Sequence, residues 1–215
     1  RRQLQMCIRD RHETEAYLQR KHCKWDRYQI LQCYMVFGGI PFYLSLINAK
    51  ESLVQNVDRL FFAQGGIMRS EFDELYNALF SNADLYISVV KGLAAHHDGM
   101  SREEISKATG ITGGTLTRVL TNLERCDFVS RNQNFAHKVK DTIYRLVDFY
   151  TLFYYKFILP DVSGDEQWWS HHFESRQVST WQGLTFEIVC LMHTDSIKRA
   201  LGISGMATEV SSWRK

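Results

Sequence analysis

The chain has 215 residues, of which 45% are hydrophobic and 13% aromatic, enough apolar side chain for the core of one large or two small domains and too much for a disordered tail. Lysine and arginine number 26 against 24 acids, a formal charge of +2 that neither marks nor excludes a nucleic-acid binder. Five cysteines, Cys7, Cys23, Cys33, Cys126 and Cys190, form an odd set with no CxxC pair and no export signal, so they read as reduced thiols of a cytoplasmic protein and not as a zinc site.

The longest apolar stretch, residues 146–159, is interrupted by Asp148 and Lys156. It falls short of the ~20 residues that span a bilayer, so no membrane segment is expected. Residues 1–12, with Gln5-Met6-Cys7-Ile8-Arg9-Asp10-Arg11, read as a non-native leader outside the fold. From Trp25 to Phe37 apolar side chains recur at helical spacing (Tyr28, Leu31, Cys33, Met35). Gly38-Gly39 stops that helix, and Pro41, suited to a first helical position, opens a second that should run to about Ala49. Residues 52–62 predict one amphipathic helix, with Leu53, Val57, Leu60 and Phe61 on its apolar stripe and Gln55, Asn56, Asp58 and Arg59 on its polar side. Gly65-Gly66 breaks the pattern. Ser70 then stands as an N-cap before Glu71, Asp73 and Glu74, acids that suit a first turn, and the helix should end near Phe80.

Residues 85–95 carry Leu85, Val89 and Leu93 at helical spacing, and His96-His97-Asp98-Gly99 makes a turn. Ser101-Arg102-Glu103-Glu104 matches a capping box, with Ile105 and Ala108 expected to be buried behind it. Gly110, free to take a positive φ, turns the chain into a longer helix over residues 112–126 that buries Leu116, Val119, Leu120 and Leu123. Residues 128–131 and 142–146 read as strands joined by a polar loop. Three helices followed by a hairpin is the order of a winged helix-turn-helix, assigned to residues 84–148. In one reading, Thr115, Thr117, Arg118, Thr121, Asn122 and Arg125 face a DNA major groove while Arg131, His137, Lys138 and Lys140 reach phosphates. In the other, the module packs against a neighbouring domain, which Gly113, Gly114 and the few cations of this face would suit.

Beyond it, the aromatic run Tyr150, Phe153, Tyr154, Tyr155 and Phe157 and the group Trp168, Trp169 and Phe173 have the spacing of core packing, with base stacking as the rival use. His96-His97 and His171-His172 are adjacent pairs, which diverge on any regular element and so read as solvated turn histidines. The sequence holds no G-x-x-x-x-G-K-[ST] loop, and no Ser/His/Asp or Cys/His set stands in a recognisable context.

The series Gly38-Gly39-Ile40-Pro41-Phe42-Tyr43-Leu44, Leu60-Phe61-Phe62, Glu71-Phe72, Leu75-Tyr76 and Leu79-Phe80, followed by a winged helix, resembles the part after the ATPase core in archaeal-type P-loop ATPases of the AAA+/STAND group. The likeness runs from about Tyr17 over nearly the whole chain. It implies a mainly α chain: a helical lid over residues 13–83, the winged helix-turn-helix with its small β-hairpin over 84–148, and an aromatic helix with an incomplete nuclease-like domain over 149–215. Gly39 and Pro41 inherit contact with the adenine of ATP, which with magnesium would be held by the parent protein and not by these residues alone. The segment Trp181-Gln182-Gly183-Leu184-Thr185-Phe186-Glu187 resembles the start of the C-terminal PD-(D/E)xK-like domain of such proteins, with Glu187 as its metal-site candidate. A lone carboxylate holds a divalent cation poorly, so Glu187 reads here as a solvated helix residue and no metal is expected. The implied partners are a P-loop core and the rest of a nuclease-like domain in the same chain, and possible double-stranded DNA. The implied function is a nucleotide-sensing lid with a winged module and no complete catalytic site. The alternative is a stand-alone winged-helix transcriptional regulator.

Overall fold

A computed structural model describes residues 11–133 and 142–206. In chain order its helices are α1 (Arg11–Arg20), α2 (Arg27–Phe37), α3 (Pro41–Ser45), α4 (Leu53–Val57), α5 (Ile67–Leu79), α6 (Ala83–Ala94), α7 (Arg102–Thr109), α8 (Gly113–Arg125), α9 (Phe149–Phe153), α10 (Trp168–His172), α11 (Arg176–Met192) and α12 (Thr194–Ala200). Strands β1 (Met100–Ser101), β2 (Val129–Gln133) and β3 (Thr142–Leu146) form an antiparallel sheet in the order β1-β3-β2. The protein is therefore mainly helical with one small sheet. No helix among the described residues is long and apolar enough to cross a membrane.

The chain divides into two compact units, one of residues up to Ala78 together with Phe149–Gln182, the other of Leu79–Asp148 together with the residues from Gly183. The chain-order division expected from the sequence, at 83 and 148, thus interleaves with the units. The reason is aromatic: Phe61 meets Phe153 at 4.8 Å between ring centroids, Phe153 meets Trp169 at 5.1 Å, and Phe157 meets Trp181 at 5.3 Å. Trp169, Phe153 and Phe157 are buried, so these rings pack the core of the first unit.

In the first unit Asp26 caps α2 in a reciprocal box with Gln29, and Cys33 through Phe37 are all buried, as in a helix covered on every side. Gly38 ends it at φ +62°, a left-handed value that glycine takes without strain. The helix expected over 41–49 stops at Ser45, because other groups take the carbonyls that would extend it. The Lys21 ammonium donates to the carbonyls of Ser45 (2.6 Å), Ile47 (2.8 Å) and Leu44 (3.3 Å), and the Arg59 guanidinium donates to Leu46 O.

The helix expected over 52–62 becomes α4 followed by a π-helical turn, Asp58–Phe62, in which Ala63 N–H donates to Asp58 O. That turn breaks the 3.6-residue register, and Asn56 and Asp58, assigned above to the polar side, are buried. Asn56 accepts from Asn48 N–H and donates to the carbonyls of Asn48 and Ser52. Asp58 accepts from the amides of Trp169 (2.8 Å) and Ser170 (3.2 Å) and from the Ser170 hydroxyl, acting as a remote cap on α10. Ser70 is not a cap, since α5 starts at Ile67 and the Ser70 hydroxyl donates back to Ile67 O.

In the second unit, α6 leads through the 96–99 turn to β1, then α7, α8 and the β2–β3 hairpin. Gly99 lies at φ +79°, and a Cβ there would stand 2.6 Å from Ile143 Cγ2 and 2.6 Å from Tyr144 O, so β1 pairs with β3 only with glycine at this position. The hairpin pairs Val129 with Leu146 and Arg131 with Tyr144.

Candidate nucleic-acid interface

The helical pair α7–α8 is built by local signals. The Ser101 hydroxyl accepts from Glu104 N–H while the Glu104 carboxylate accepts from Ser101 N–H at 2.6 Å, closing the capping box. Ile105 is buried as expected, but Ala108 is exposed. Gly110 ends α7 at φ +72°, and its N–H donates to Ser106 O. Helix α8 then buries Leu116, Val119, Leu120 and Leu123, one stripe at helical spacing. Its far end closes on Asp127 at φ +59°, where Phe128 N–H returns to Leu123 O and Asp127 N–H to Glu124 O.

On the opposite face, Thr115, Thr117, Arg118 and Arg125 are exposed and Thr121 and Asn122 half-buried. The structure thus brings the six candidate residues of α8 to its outer side, but not all point outward. Asn122 Nδ2 donates to Tyr86 Oη at 2.8 Å, and Tyr86 is buried in a stack with Phe80 at 3.8 Å between centroids. The Thr117 hydroxyl donates to Gly113 O. Arg131 is exposed on β2, while His137, Lys138 and Lys140 lie outside the described residues. Thr112 makes no side-chain cap, so the first-turn amides of α8 are left without one, and Gly113 and Gly114 leave its backbone bare.

A second polar constellation in the same unit was not foreseen. Arg145, buried on β3, donates from Nη1 to Glu187 Oε1 at 3.0 Å and from Nη2 to His97 Nε2 at 2.8 Å. The His97 ring also lies 3.4 Å from the Leu184 carbonyl through Nε2 and 3.4 Å from Asp98 Oδ1 through Nδ1. Glu187 is exposed on α11, in keeping with a solvated helix carboxylate, and is also ion-paired; His97 is corrected from a solvated turn histidine to a partner of the buried arginine. His171 and His172 are likewise engaged, the first with the Asp165 carboxylate at 2.7 Å, the second stacked on Trp168. Among the described residues no group of three or more His, Cys, Asp or Glu could hold a metal ion.

In the first unit, the turn between α2 and α3 sets Gly39 and Pro41 half-buried, with Pro41 opening α3. The left-handed φ falls on Gly38, one residue before the glycine singled out. Behind the turn the Tyr43 hydroxyl donates to the Glu71 carboxylate at 3.1 Å, and burial pushes the Glu71 carboxyl above its ordinary range.

No family model matches the chain, and no solved structure matches it. An uncharacterized protein of Methanocaldococcus jannaschii is 25% identical over 147 residues, which cover 66% of this chain and 32% of that protein's length.

Sequence reasoning missed Arg145, Asn56, Asp58 and Lys21. A charged residue in the middle of the strand Thr142-Ile143-Tyr144-Arg145-Leu146 was the available signal for the first, since burial on both faces of β3 obliges such a residue to find partners.

Proposed function

We propose that residues 84–148 act as a winged helix-turn-helix that contacts duplex DNA, within a chain that serves as the lid-bearing arm of a nucleotide-dependent P-loop ATPase. The observation that carries the DNA part is α8 itself, which follows α7 across the Gly110 turn, buries one apolar stripe and presents Arg118 and Arg125 to solvent, with Arg131 exposed on the hairpin behind it. Arginines at such positions neutralise phosphates and release counterions, so affinity should depend steeply on salt.

The ATPase part is supported by the Gly38-Gly39-Ile40-Pro41 break between α2 and α3, where Gly39 and Pro41 stay half-buried beside the buried end of α2. Gly39 has no side chain and Pro41 offers an apolar ring, a pair that suits the face of an adenine. ATP and magnesium would supply the phosphoryl chemistry from a P-loop core, for which this sequence has no loop.

Two measurements test the proposal. In gel-shift titrations against mixed duplexes, the protein should retard DNA at low salt and lose affinity as salt rises; no retardation, or retardation insensitive to salt, would sink the DNA reading. Sequencing upstream in the gene of origin should reveal a Walker A loop in frame. An upstream region without one would remove the ATPase reading and favour a stand-alone regulator.

A further inference from the structure

We infer that this DNA contact is led by the phosphate backbone and discriminates weakly among sequences. The inference rests on the DNA reading just given and deepens it. Strong base discrimination from a groove-lying helix comes from side chains that make two hydrogen bonds to one base edge: asparagine or glutamine to adenine, arginine to guanine. Helix α8 has one asparagine on its outer side, and the amide nitrogen of Asn122 is held on the Tyr86 hydroxyl at 2.8 Å, with Tyr86 itself fixed against Phe80. Swinging that amide into a groove would break the bond and leave a hydroxyl beneath the helix without its donor.

The remaining outward groups fit the same conclusion. Thr117 already spends its hydroxyl proton on Gly113 O, and threonines make single contacts that suit either base or phosphate. Gly113 and Gly114 contribute no side chain. Arg118 and Arg125 remain, seven residues or about 10 Å apart along the helix, beside the exposed carboxylate of Glu124. With both arginines on phosphates, α8 makes no bidentate base contact, and even one such contact to guanine would add only on the order of 100-fold or less, whereas dedicated specific binders exceed their non-specific affinity by roughly 1,000-fold or more.

The full chain is tested by selection from a randomised duplex pool, followed by titration of the best-enriched duplex and a mixed duplex at two salt concentrations. The expected result is a preference below about 100-fold, with Arg118→Ala and Arg125→Ala each weakening both duplexes to a similar extent and lowering the salt slope by about one. Asn122→Ala should leave the preference unchanged. Because that variant also removes the bond to Tyr86, Tyr86→Phe serves as a second variant, expected to fold and to bind the mixed duplex as the parent does. Enrichment of one sequence by about 1,000-fold or more, or loss of preference in Asn122→Ala alone, would overturn the inference while leaving DNA binding intact. Absence of binding to any duplex overturns the DNA reading and this inference with it.

Discussion

Asp58 shows how much one side chain can do away from its own helix. Its carboxylate caps the first turn of α10 through the amides of Trp169 and Ser170, although the two segments lie more than a hundred residues apart in sequence. Burial pushes its carboxyl above the ordinary range, opposed by the hydrogen bonds from Ser170 and Trp169. A raised pKa in the folded state means that the folded protein binds this proton more tightly than the unfolded chain does. The contribution is therefore fully present below the ordinary carboxylate range and is lost as pH rises through the raised value. Asp58→Asn keeps an acceptor oxygen but cannot ionise. Urea melts of both proteins between about pH 4 and pH 7 should show the parent losing stability relative to Asp58→Asn as pH rises; a constant difference would contradict the assignment. Lys21 makes a simpler case, since Lys21→Met removes the donor shared by three carbonyls at and just beyond the end of α3 and should cost about 1–2 kcal/mol in the same melts.

At the scale of elements, two glycines with nearly the same φ make different demands. Gly110 ends α7 at φ +72° with open space where a Cβ would go, so Gly110→Ala should cost about 1 kcal/mol, the strain of a left-handed alanine. Gly99 combines φ +79° with backbone and side-chain atoms of β3 at 2.6 Å, so Gly99→Ala must also push β1 off β3. Its cost should reach about 3 kcal/mol or more, since strain and steric displacement add. Equal losses of melting temperature in the two variants would refute the close approach. The same comparison shows why the second unit was legible. The Ser101 box, the Gly110 turn, the apolar stripe of α8 and strand β3 all follow from residues within a few positions of one another. Helices of the first unit were read less well, because α3 ends where Lys21 and Arg59, from outside it, take its last carbonyls, and because the π-helical turn moves Asp58 off the polar side to partners on α10.

For the whole molecule, each unit is assembled from two stretches of chain. The first unit draws Phe153, Phe157, Trp169 and Trp181 from its second stretch, and loss of several buried aromatic side chains costs several kcal/mol each, comparable with the net stability of a domain. A chain ending at Asp148 should therefore lose cooperative unfolding of α1 to α5. Near-ultraviolet circular dichroism melts would check this, and an undiminished transition would show that the N-terminal helices hold their own core. The second unit has its own long-range tie, the buried Arg145 between His97 and Glu187. The guanidinium, carboxylate and imidazole lie on three separate elements, and no spacing rule links them.

The sequence alone determined the mainly helical class, the two helices on either side of Gly110, the capped start of α7 and which residues of α8 face inward. These follow from propensity, capping and periodicity, which act over three or four residues. Only the tertiary structure decided that Asn122 turns inward to Tyr86, that Asp58 and Arg145 are buried among partners, and that residues 149–182 complete the first unit's core. The physical reason is shared: a buried polar group or aromatic ring is stabilised by whatever closes around it, and those partners arrive from distant segments that local pattern cannot name.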